Sequence, residues 1–124
     1  MSEKTILVVD DEPDLTDMLR IKLSRAGYRV RIATTGSEAL AALTTEKPDL
    51  IVLDVMIPPP DGYKVCRILK ASRDFQDIPI IMLSAKGMRD DVSKGYAAGA
   101  DSYLTKPIKA RELLKKIAEV LSDK

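Results

Sequence analysis

The sequence contains no histidine and only one cysteine, Cys66. Without histidine, the commonest general base and metal ligand near neutral pH is missing, so any chemistry must use carboxylates, hydroxyls or lysines. A single cysteine cannot form an internal disulfide, which favours a reducing compartment. No apolar run approaches about 20 residues, so the sequence predicts neither a membrane span nor an export signal, and we expect a cytoplasmic protein.

The sequence also lacks an excess of charge of either sign. Its 20 basic and 19 acidic side chains give a formal net charge of +1. This balance does not favour nucleic acid or an anionic membrane as the main partner. The 124 residues suffice for one core, so we expect a single domain over residues 1–124.

Three short apolar runs are present, and each predicts a buried β-strand: Ile6–Val9, Leu50–Leu53 and Ile78–Leu83. Two more polar segments, Arg29–Ala33 and Asp101–Thr105, are typical of edge strands. Five helical patterns alternate with these strands. They begin at Pro13, at Thr35 with its capping-box spacing, at Gly62, near Met88 and before Leu113.

The alternation of strands and helices predicts an α/β fold with helices on both faces of a parallel sheet. Placing the three apolar strands inside gives the flavodoxin-like doubly wound order 2-1-3-4-5, with five helices. In this fold, ligands bind beyond the carboxyl ends of the first and third strands. Gly95 interrupts the fourth helical pattern, so that helix is predicted to be marginal.

Polar side chains follow four of the predicted strands: Asp10 and Asp11, Asp54, Ser84, and Lys106. Three carboxylates at one crevice would repel one another, and a hard divalent cation relieves that repulsion. Oxygen ligands favour Mg²⁺, which leaves room for phosphate oxygens. Lys106 is suited to pair with Asp54 or a phosphoryl oxygen, and Ser84 offers a hydroxyl donor. The arrangement predicts a phosphoryl acceptor whose nucleophile is Asp54.

Each of these residues also has an ordinary interpretation. An aspartate after a strand is usually a turn residue or helix cap, and Asp10-Asp11 before Pro13 is a plausible helix start. Ser84 alone carries no signal, and a lone lysine is most often a solvated charge. Their joint placement at successive strand ends favours the functional interpretation.

Four segments carry a family resemblance: Ile6–Pro13 (ILVVDDEP), Leu50–Met56 (LIVLDVM), Pro58 with Asp61-Gly62, and Ala98–Pro107 (AGADSYLTKP). In this order they resemble the receiver (CheY-like) domain of two-component response regulators, over essentially the whole chain. The resemblance implies that Asp54 is the phosphorylated aspartate and Lys106 binds the phosphoryl group. It further implies that Mg²⁺ is bound by Asp11 and Asp54 directly, by Met56 through its carbonyl and by Asp10 through water. Ser84 and Tyr103 would be switch residues, and the Lys106–Pro107 peptide would be cis.

The resemblance implies a signalling switch and no enzyme beyond its own phosphorylation and dephosphorylation. A sensor histidine kinase or phosphotransfer protein would supply the phosphoryl group. The face made by the fourth helix, fifth strand and fifth helix would then control a downstream effector or a fused output domain. We expect no direct nucleic-acid binding by this domain, no membrane contact, and a monomer or weak phosphorylation-dependent dimer to which Asp101 and Lys116 offer one ion pair.

Two other functions are weighed against the switch. A small phosphohydrolase with an aspartyl-phosphate intermediate needs a general acid two residues beyond its nucleophile, where this chain has Met56. A flavodoxin-like carrier needs a Ser/Thr-rich loop after the first strand, where carboxylates would repel a flavin phosphate. One departure from the receiver pattern is Pro58-Pro59-Pro60, which predicts a stiffer loop beside the site or neutral surface variation.

Overall fold

The computed structural model describes residues 3–85 and 98–122. The strands are β1 (Thr5–Val9), β2 (Arg29–Ala33), β3 (Leu50–Asp54), β4 (Ile80–Ser84) and β5 (Ser102–Thr105). The helices in these ranges are α1 (Pro13–Arg25), α2 (Gly36–Thr45), α3 (Gly62–Lys70) and the C-terminal helix (Ala110–Ser122). The fourth predicted helix, around Met88 to Tyr96, lies outside the described residues.

The strands form one parallel sheet in the order β2-β1-β3-β4-β5. The predicted order and the predicted edge strands are therefore confirmed. The three central strands β1, β3 and β4 are buried along their whole length, whereas β2 and β5 are partly exposed. Buried strands contribute apolar side chains to both faces of the sheet, which explains why their sequences are unbroken apolar runs. Among the described helices, none has the length and hydrophobicity that crossing a lipid bilayer requires.

Alternate residues of the central strands build two separate cores. Leu7, Ile51 and Met82 face the layer formed by α2 and α3. Val8 and Val52 face the layer formed by α1 and the C-terminal helix. This alternation follows from the two-residue period of a strand. Among the described elements, one pair of helices packs on each face of the sheet.

Side chains at the start of α2 and α3 fix where these helices begin. Thr35 Oγ1 accepts the N–H of Glu38 at 2.9 Å, as the capping-box spacing predicts. The carboxylate of Glu38 accepts the N–H and hydroxyl of Thr34, and these bonds lower the pKa of Glu38. Asp61 accepts the N–H of Lys64 at 2.9 Å and so caps α3.

An ion pair joins α3 to the segment before β5. Lys70 Nζ lies 3.0 Å from Asp101 Oδ2 and also donates to the carbonyls of Gln76 and Ile78. Asp101 Oδ2 also accepts the N–H of Ile80 at 2.8 Å. Asp101 is thus paired within the chain, with a residue other than the Lys116 of a second copy that the sequence interpretation considered.

The only cysteine lies in the core on the inner face of α3. The Cys66 side chain is fully buried and donates to the carbonyl of Ala98 at 3.4 Å. Burial raises the pKa of the Cys66 thiol to about 11, because the apolar core disfavours the thiolate. At pH 8 only about one native thiol in a thousand is therefore ionised.

We expect Cys66 to resist alkylation by iodoacetamide in the native protein at pH 8 and to react rapidly in urea. Because folding raises this pKa, the free energy of unfolding should fall as pH rises from about 9 towards 11. Mass spectrometry after timed labelling measures the alkylation rate. Urea denaturation of the native chain and of Cys66→Ala across this pH range isolates the contribution of the thiol to the pH dependence of stability. Equal labelling rates with and without urea would contradict the burial argument.

Candidate functional site

The sheet places the predicted polar residues along one edge. Asp54 ends β3 and Ser84 ends β4, while Asp10 directly follows β1 and Lys106 directly follows β5. Since the strands are parallel and β1, β3, β4 and β5 are successive neighbours, all four residues lie at the carboxyl ends. Asp10, Asp54 and Ser84 are buried. Two carboxylates removed from bulk water must therefore be balanced from within the fold.

Lys106 supplies the positive charge at the centre of the site. Its ammonium lies 3.0 Å from Asp10 Oδ2, 2.7 Å from Glu12 Oε1 and 3.2 Å from Asp54 Oδ2. The Lys106 N–H also donates to the carbonyl of Ser84, which ties the end of β5 to the end of β4. One lysine therefore contacts carboxylates that come from two different strand ends.

Backbone N–H groups set the orientation of the two buried carboxylates. Asp10 Oδ1 accepts the N–H of Glu12 at 2.9 Å, and Asp54 Oδ1 accepts the N–H of Met56 at 3.2 Å. In both cases the donor lies two residues further along the chain, as in an Asx-turn. Each aspartate is left with its Oδ2 atom directed at the same ammonium. The loops after β1 and β3 thereby aim two carboxylate oxygens at one point.

The charges of Asp10, Glu12, Asp54 and Lys106 do not cancel one another. Burial raises the pKa of Asp10, and the charge of Asp54 adds to the rise, although the N–H of Glu12 and the ammonium of Lys106 oppose it. Burial alone would lower the pKa of Lys106, but its contacts with Glu12, Asp10 and Asp54 outweigh that effect and raise the pKa. When all four side chains are ionised, one positive charge faces three negative ones.

The acidic cluster has the composition of a site for a hard metal ion. One oxygen each from Asp10, Glu12 and Asp54 lie within 4.8 Å of one another. Asp10 Oδ2 is buried and makes no hydrogen bond, because its approach to Lys106 is an ion pair without hydrogen-bonding geometry. Carboxylate oxygens and an incompletely satisfied buried acceptor fit a divalent cation of the Mg²⁺ type.

Glu12 is a member of this cluster that the sequence interpretation did not select. By its backbone it is the N-cap residue of α1, but its side chain makes no capping bond and contacts Lys106 instead. The run of three acidic residues from Asp10 to Glu12 was the available signal. Asp11, the predicted direct metal ligand, is exposed and is not part of the grouped carboxylates. Its ligand role stays a prediction.

The remaining predicted residues surround the cluster. Met56 is 63% exposed, and its N–H contacts Asp54. Tyr103 is half-buried on β5 and packs against the core layer that contains α2 and α3. The Lys106–Pro107 peptide is cis, the geometry that the resemblance implies, and Pro59–Pro60 is a second cis peptide that the sequence did not predict.

The model of the response regulator receiver domain matches residues 6–118. The chain belongs to this family. It is 45% identical over 121 residues to the phosphate regulon transcriptional regulatory protein PhoB of Pseudomonas aeruginosa, and this match covers 98% of the chain and 53% of that protein. It is 47% identical over 118 residues to the alkaline phosphatase synthesis transcriptional regulatory protein PhoP of Bacillus subtilis, covering 95% of the chain and 48% of that protein.

Solved structures of receiver domains have the same fold. The signal receiver domain of a histidine kinase from Syntrophus aciditrophicus superposes with a TM-score of 0.91 at 37% identity, covering 97% of this chain and 91% of that one. The chemotaxis response regulator CheY4 of Vibrio cholerae gives a TM-score of 0.89 at 31% identity, covering 96% and 99%.

As a member of the receiver family, the chain is a phosphoryl-accepting signalling switch. It spans about half the length of the curated relatives it matches. The similar receiver domains belong to proteins as different as transcriptional regulators, a histidine kinase and a chemotaxis protein. The receiver fold therefore does not specify one type of output.

Proposed function

We propose that this receiver domain accepts a phosphoryl group on Asp54. The observation that carries the proposal is the orientation of that side chain: Asp54 is buried, its Oδ1 is held by the Met56 N–H, and its Oδ2 contacts Lys106. In the transfer, a carboxylate oxygen attacks the phosphorus atom of the donor. A new P–O bond forms to Asp54, and the bond from phosphorus to the leaving nitrogen or oxygen breaks.

The residues around Asp54 have separate roles in this reaction. Lys106 neutralises charge that develops on the phosphoryl oxygens, because its ammonium already lies 3.2 Å from Asp54 Oδ2. Asp10, Glu12 and Asp54, with Asp11 and the Met56 carbonyl, would hold Mg²⁺. When bound, the ion would neutralise the carboxylates and bind oxygens of the donor phosphate. The carboxylates themselves position that charge beside the nucleophile.

The response would pass from Ser84 to Tyr103. Ser84 is buried at the end of β4, the strand next to Asp54, so its hydroxyl can donate to a phosphoryl oxygen on that aspartate. Tyr103 is half-buried on β5, the next strand along. A change in the population of two Tyr103 positions would alter the surface around β5 and the C-terminal helix.

The partners follow from this chemistry. The phosphoryl donor would be a sensor histidine kinase or a phosphotransfer protein, and the receiver of the signal would be a downstream effector or a fused output domain. The domain would act in the cytoplasm, as a monomer or a weak phosphorylation-dependent dimer, without binding nucleic acid itself. Asp101, paired with Lys70, would have to change partner before it could contribute an intermolecular ion pair.

The proposal is tested by incubating the protein with acetyl phosphate and Mg²⁺ and measuring its intact mass. We expect one phosphoryl adduct in the native chain and no adduct in Asp54→Asn, because the amide cannot act as the nucleophile. Asp61→Asn is the matched control, since Asp61 caps α3 and should keep the adduct. A phosphoryl adduct of equal yield in Asp54→Asn would contradict the assignment.

The phosphohydrolase alternative gains no support from the site geometry. A general acid would be required beside the leaving group, and the residue two positions after Asp54 is Met56, whose thioether carries no transferable proton. The domain would therefore turn over only its own acyl phosphate. Incubation with p-nitrophenyl phosphate, a phosphomonoester, tests this statement: we expect no more nitrophenolate from the native chain than from Asp54→Asn, and sustained release by the native chain alone would favour the phosphohydrolase.

A further inference from the structure

The loop with the three prolines lies against the first turn of α2. The Gly36 N–H donates to the carbonyl of Pro58 at 2.9 Å. Ser37 Oγ donates to the carbonyl of Pro59 at 3.4 Å, a contact between residues 22 positions apart in the chain. The loop that follows the proposed phosphoacceptor is therefore held by α2. Among the described residues, α2 contributes no member of the carboxylate cluster.

The hydrogen-bonding groups of the two segments complement each other. Proline has a carbonyl but no N–H, so residues 58–60 present only acceptors from their backbone. The first turn of a helix presents N–H groups without intrahelical partners and carries the positive end of the helix dipole. The carbonyl groups of the loop can therefore accept hydrogen bonds from the N–H groups at the start of the helix.

Glycine is required at position 36 by the closeness of this contact. A Cβ atom there would overlap the carbonyl oxygen of Pro60 and lie 2.7 Å from its nitrogen and 2.8 Å from its carbonyl carbon. All three are backbone atoms, so a side-chain rotation cannot relieve the overlap. Gly36 does not have a positive φ, and its need for glycine therefore comes from space and not from backbone conformation.

The same loop positions groups at the proposed phosphorylation site. It begins directly after Asp54, and its Met56 N–H donates to Asp54 Oδ1. Ile57 anchors the middle of the loop in the core, with 6% of its surface exposed. At the far end, the Gly62 N–H donates to the carbonyl of Val55 at 2.9 Å. Because residues 57–60 follow Met56 directly in the chain, we expect a displacement of the prolines to alter the position of the Met56 N–H.

We propose that Gly36 and residues 58–60 form a latch through which α2 positions the loop after Asp54. Gly36 is then a positioning residue for phosphoryl acceptance, although it touches none of the reacting atoms. The effect of the latch on phosphorylation rests on the proposed function. The latch itself is a contact in the native protein, and it can be tested whether or not the protein accepts phosphate.

The first experiment compares Gly36→Ala with Leu43→Ala at equal Mg²⁺ and acetyl phosphate concentrations. Leu43 is buried on α2 seven residues beyond Gly36, so its truncation destabilises the same helix while it leaves the hydrogen bonds from Gly36 and Ser37 to the prolines in place. We expect Gly36→Ala to slow phosphorylation about 10- to 100-fold, since small displacements of reacting groups cost rates of that order. Leu43→Ala should accept phosphate within about twofold of the native rate. If general destabilisation of α2 were the cause, both variants would be slowed.

Amide NMR reports on the latch directly. The Gly36 N–H of the native protein should be protected from hydrogen exchange, although first-turn amides of a helix generally lack intrahelical partners. In Gly36→Ala, the amide resonances of Met56 and Gly62 should shift, and in Leu43→Ala they should not. If Gly36→Ala fails to fold, the double variant Pro59→Gly, Pro60→Gly replaces it. In that variant we expect faster hydrogen exchange of the Gly36 amide and slower phosphorylation than in the native chain.

Three results would overturn the latch: exchange of the native Gly36 amide at the unprotected rate, unshifted Met56 and Gly62 amides in folded Gly36→Ala, or phosphorylation of that variant at the native rate. Equal slowing by Leu43→Ala would also overturn it, because general destabilisation would then explain the effect. If the native protein takes no phosphoryl group, the proposed function fails. The exchange and chemical-shift results would still decide the latch.

Discussion

Replacing Gly62 by alanine is expected to lower the free energy of unfolding by about 3 kcal/mol or more. A Cβ atom at this position would overlap the carbonyl oxygen of Asp54 and lie 2.7 Å from the Cα atom of Val55. Alanine normally stabilises a helix relative to glycine by up to about 1 kcal/mol. Here the added methyl group meets backbone atoms of the preceding strand end, which have no rotamer to change.

Gly27→Ala is the matched control for this prediction. Gly27 has a φ of 98°, and a Cβ atom there would have no neighbour within 4 Å. Its substitution should cost about 1–2 kcal/mol, the strain of a left-handed backbone with a side chain. Urea denaturation followed by far-UV circular dichroism measures both variants. If Gly62→Ala is as stable as Gly27→Ala, the prediction is wrong, because the end of β3 and the start of α3 can then move apart without a loss of stability.

The strands and their order could be predicted because burial leaves a signal in the local sequence. Leu50 to Leu53 are apolar on both faces since layers of helices cover both faces of β3. Once three strands are placed inside, parallel pairing brings their polar termini to one edge. Asp54, Ser84 and Lys106 therefore gather at the same end of the sheet without any knowledge of side-chain packing.

Contacts between segments that are distant in the sequence leave no comparable pattern in the local sequence. Nothing in the sequence around Gly36 indicates that its missing side chain makes room for Pro60, because the two residues meet only after α2 and β3 are in place. Asp101 was interpreted as available for a second chain, but Lys70 reaches it within the fold. Such contacts depend on tertiary geometry, which periodicity and spacing do not encode.

Glu12 shows a different limit of sequence-based prediction. Its position before Pro13 is typical of a helix start, and its backbone does cap α1. The side chain is not used for capping, however, and it lies 2.7 Å from Lys106. Both roles fit the same sequence position, so only the direction of the side chain distinguishes them. The acidic cluster therefore contains a carboxylate that the sequence interpretation did not select.

Replacing Lys106 by methionine is expected to lower both the free energy of unfolding and the rate of phosphorylation. The variant keeps the aliphatic packing but leaves Asp10, Glu12 and Asp54 without the ammonium that contacts all three. Removing one partner of a buried ion pair costs about 3–5 kcal/mol, and the 19% exposure of the Lys106 side chain favours the lower end of that range. Phosphorylation by acetyl phosphate should fall by about 100-fold or more, because the developing charge loses its cation.

Charge balance predicts how this loss can be reversed. Asp10→Asn removes one of the two buried carboxylates, so the double variant with Lys106→Met should recover part of the lost stability in a double-mutant cycle. Mg²⁺ should stabilise Lys106→Met more than the native chain, since the ion would no longer compete with the ammonium for the carboxylates. Lys109 is an exposed lysine three residues further along the chain. Lys109→Met should therefore change neither the free energy of unfolding nor the rate of phosphorylation. Equal losses in Lys109→Met, or simple additivity with Asp10→Asn, would mean that Lys106 does not act through these carboxylates.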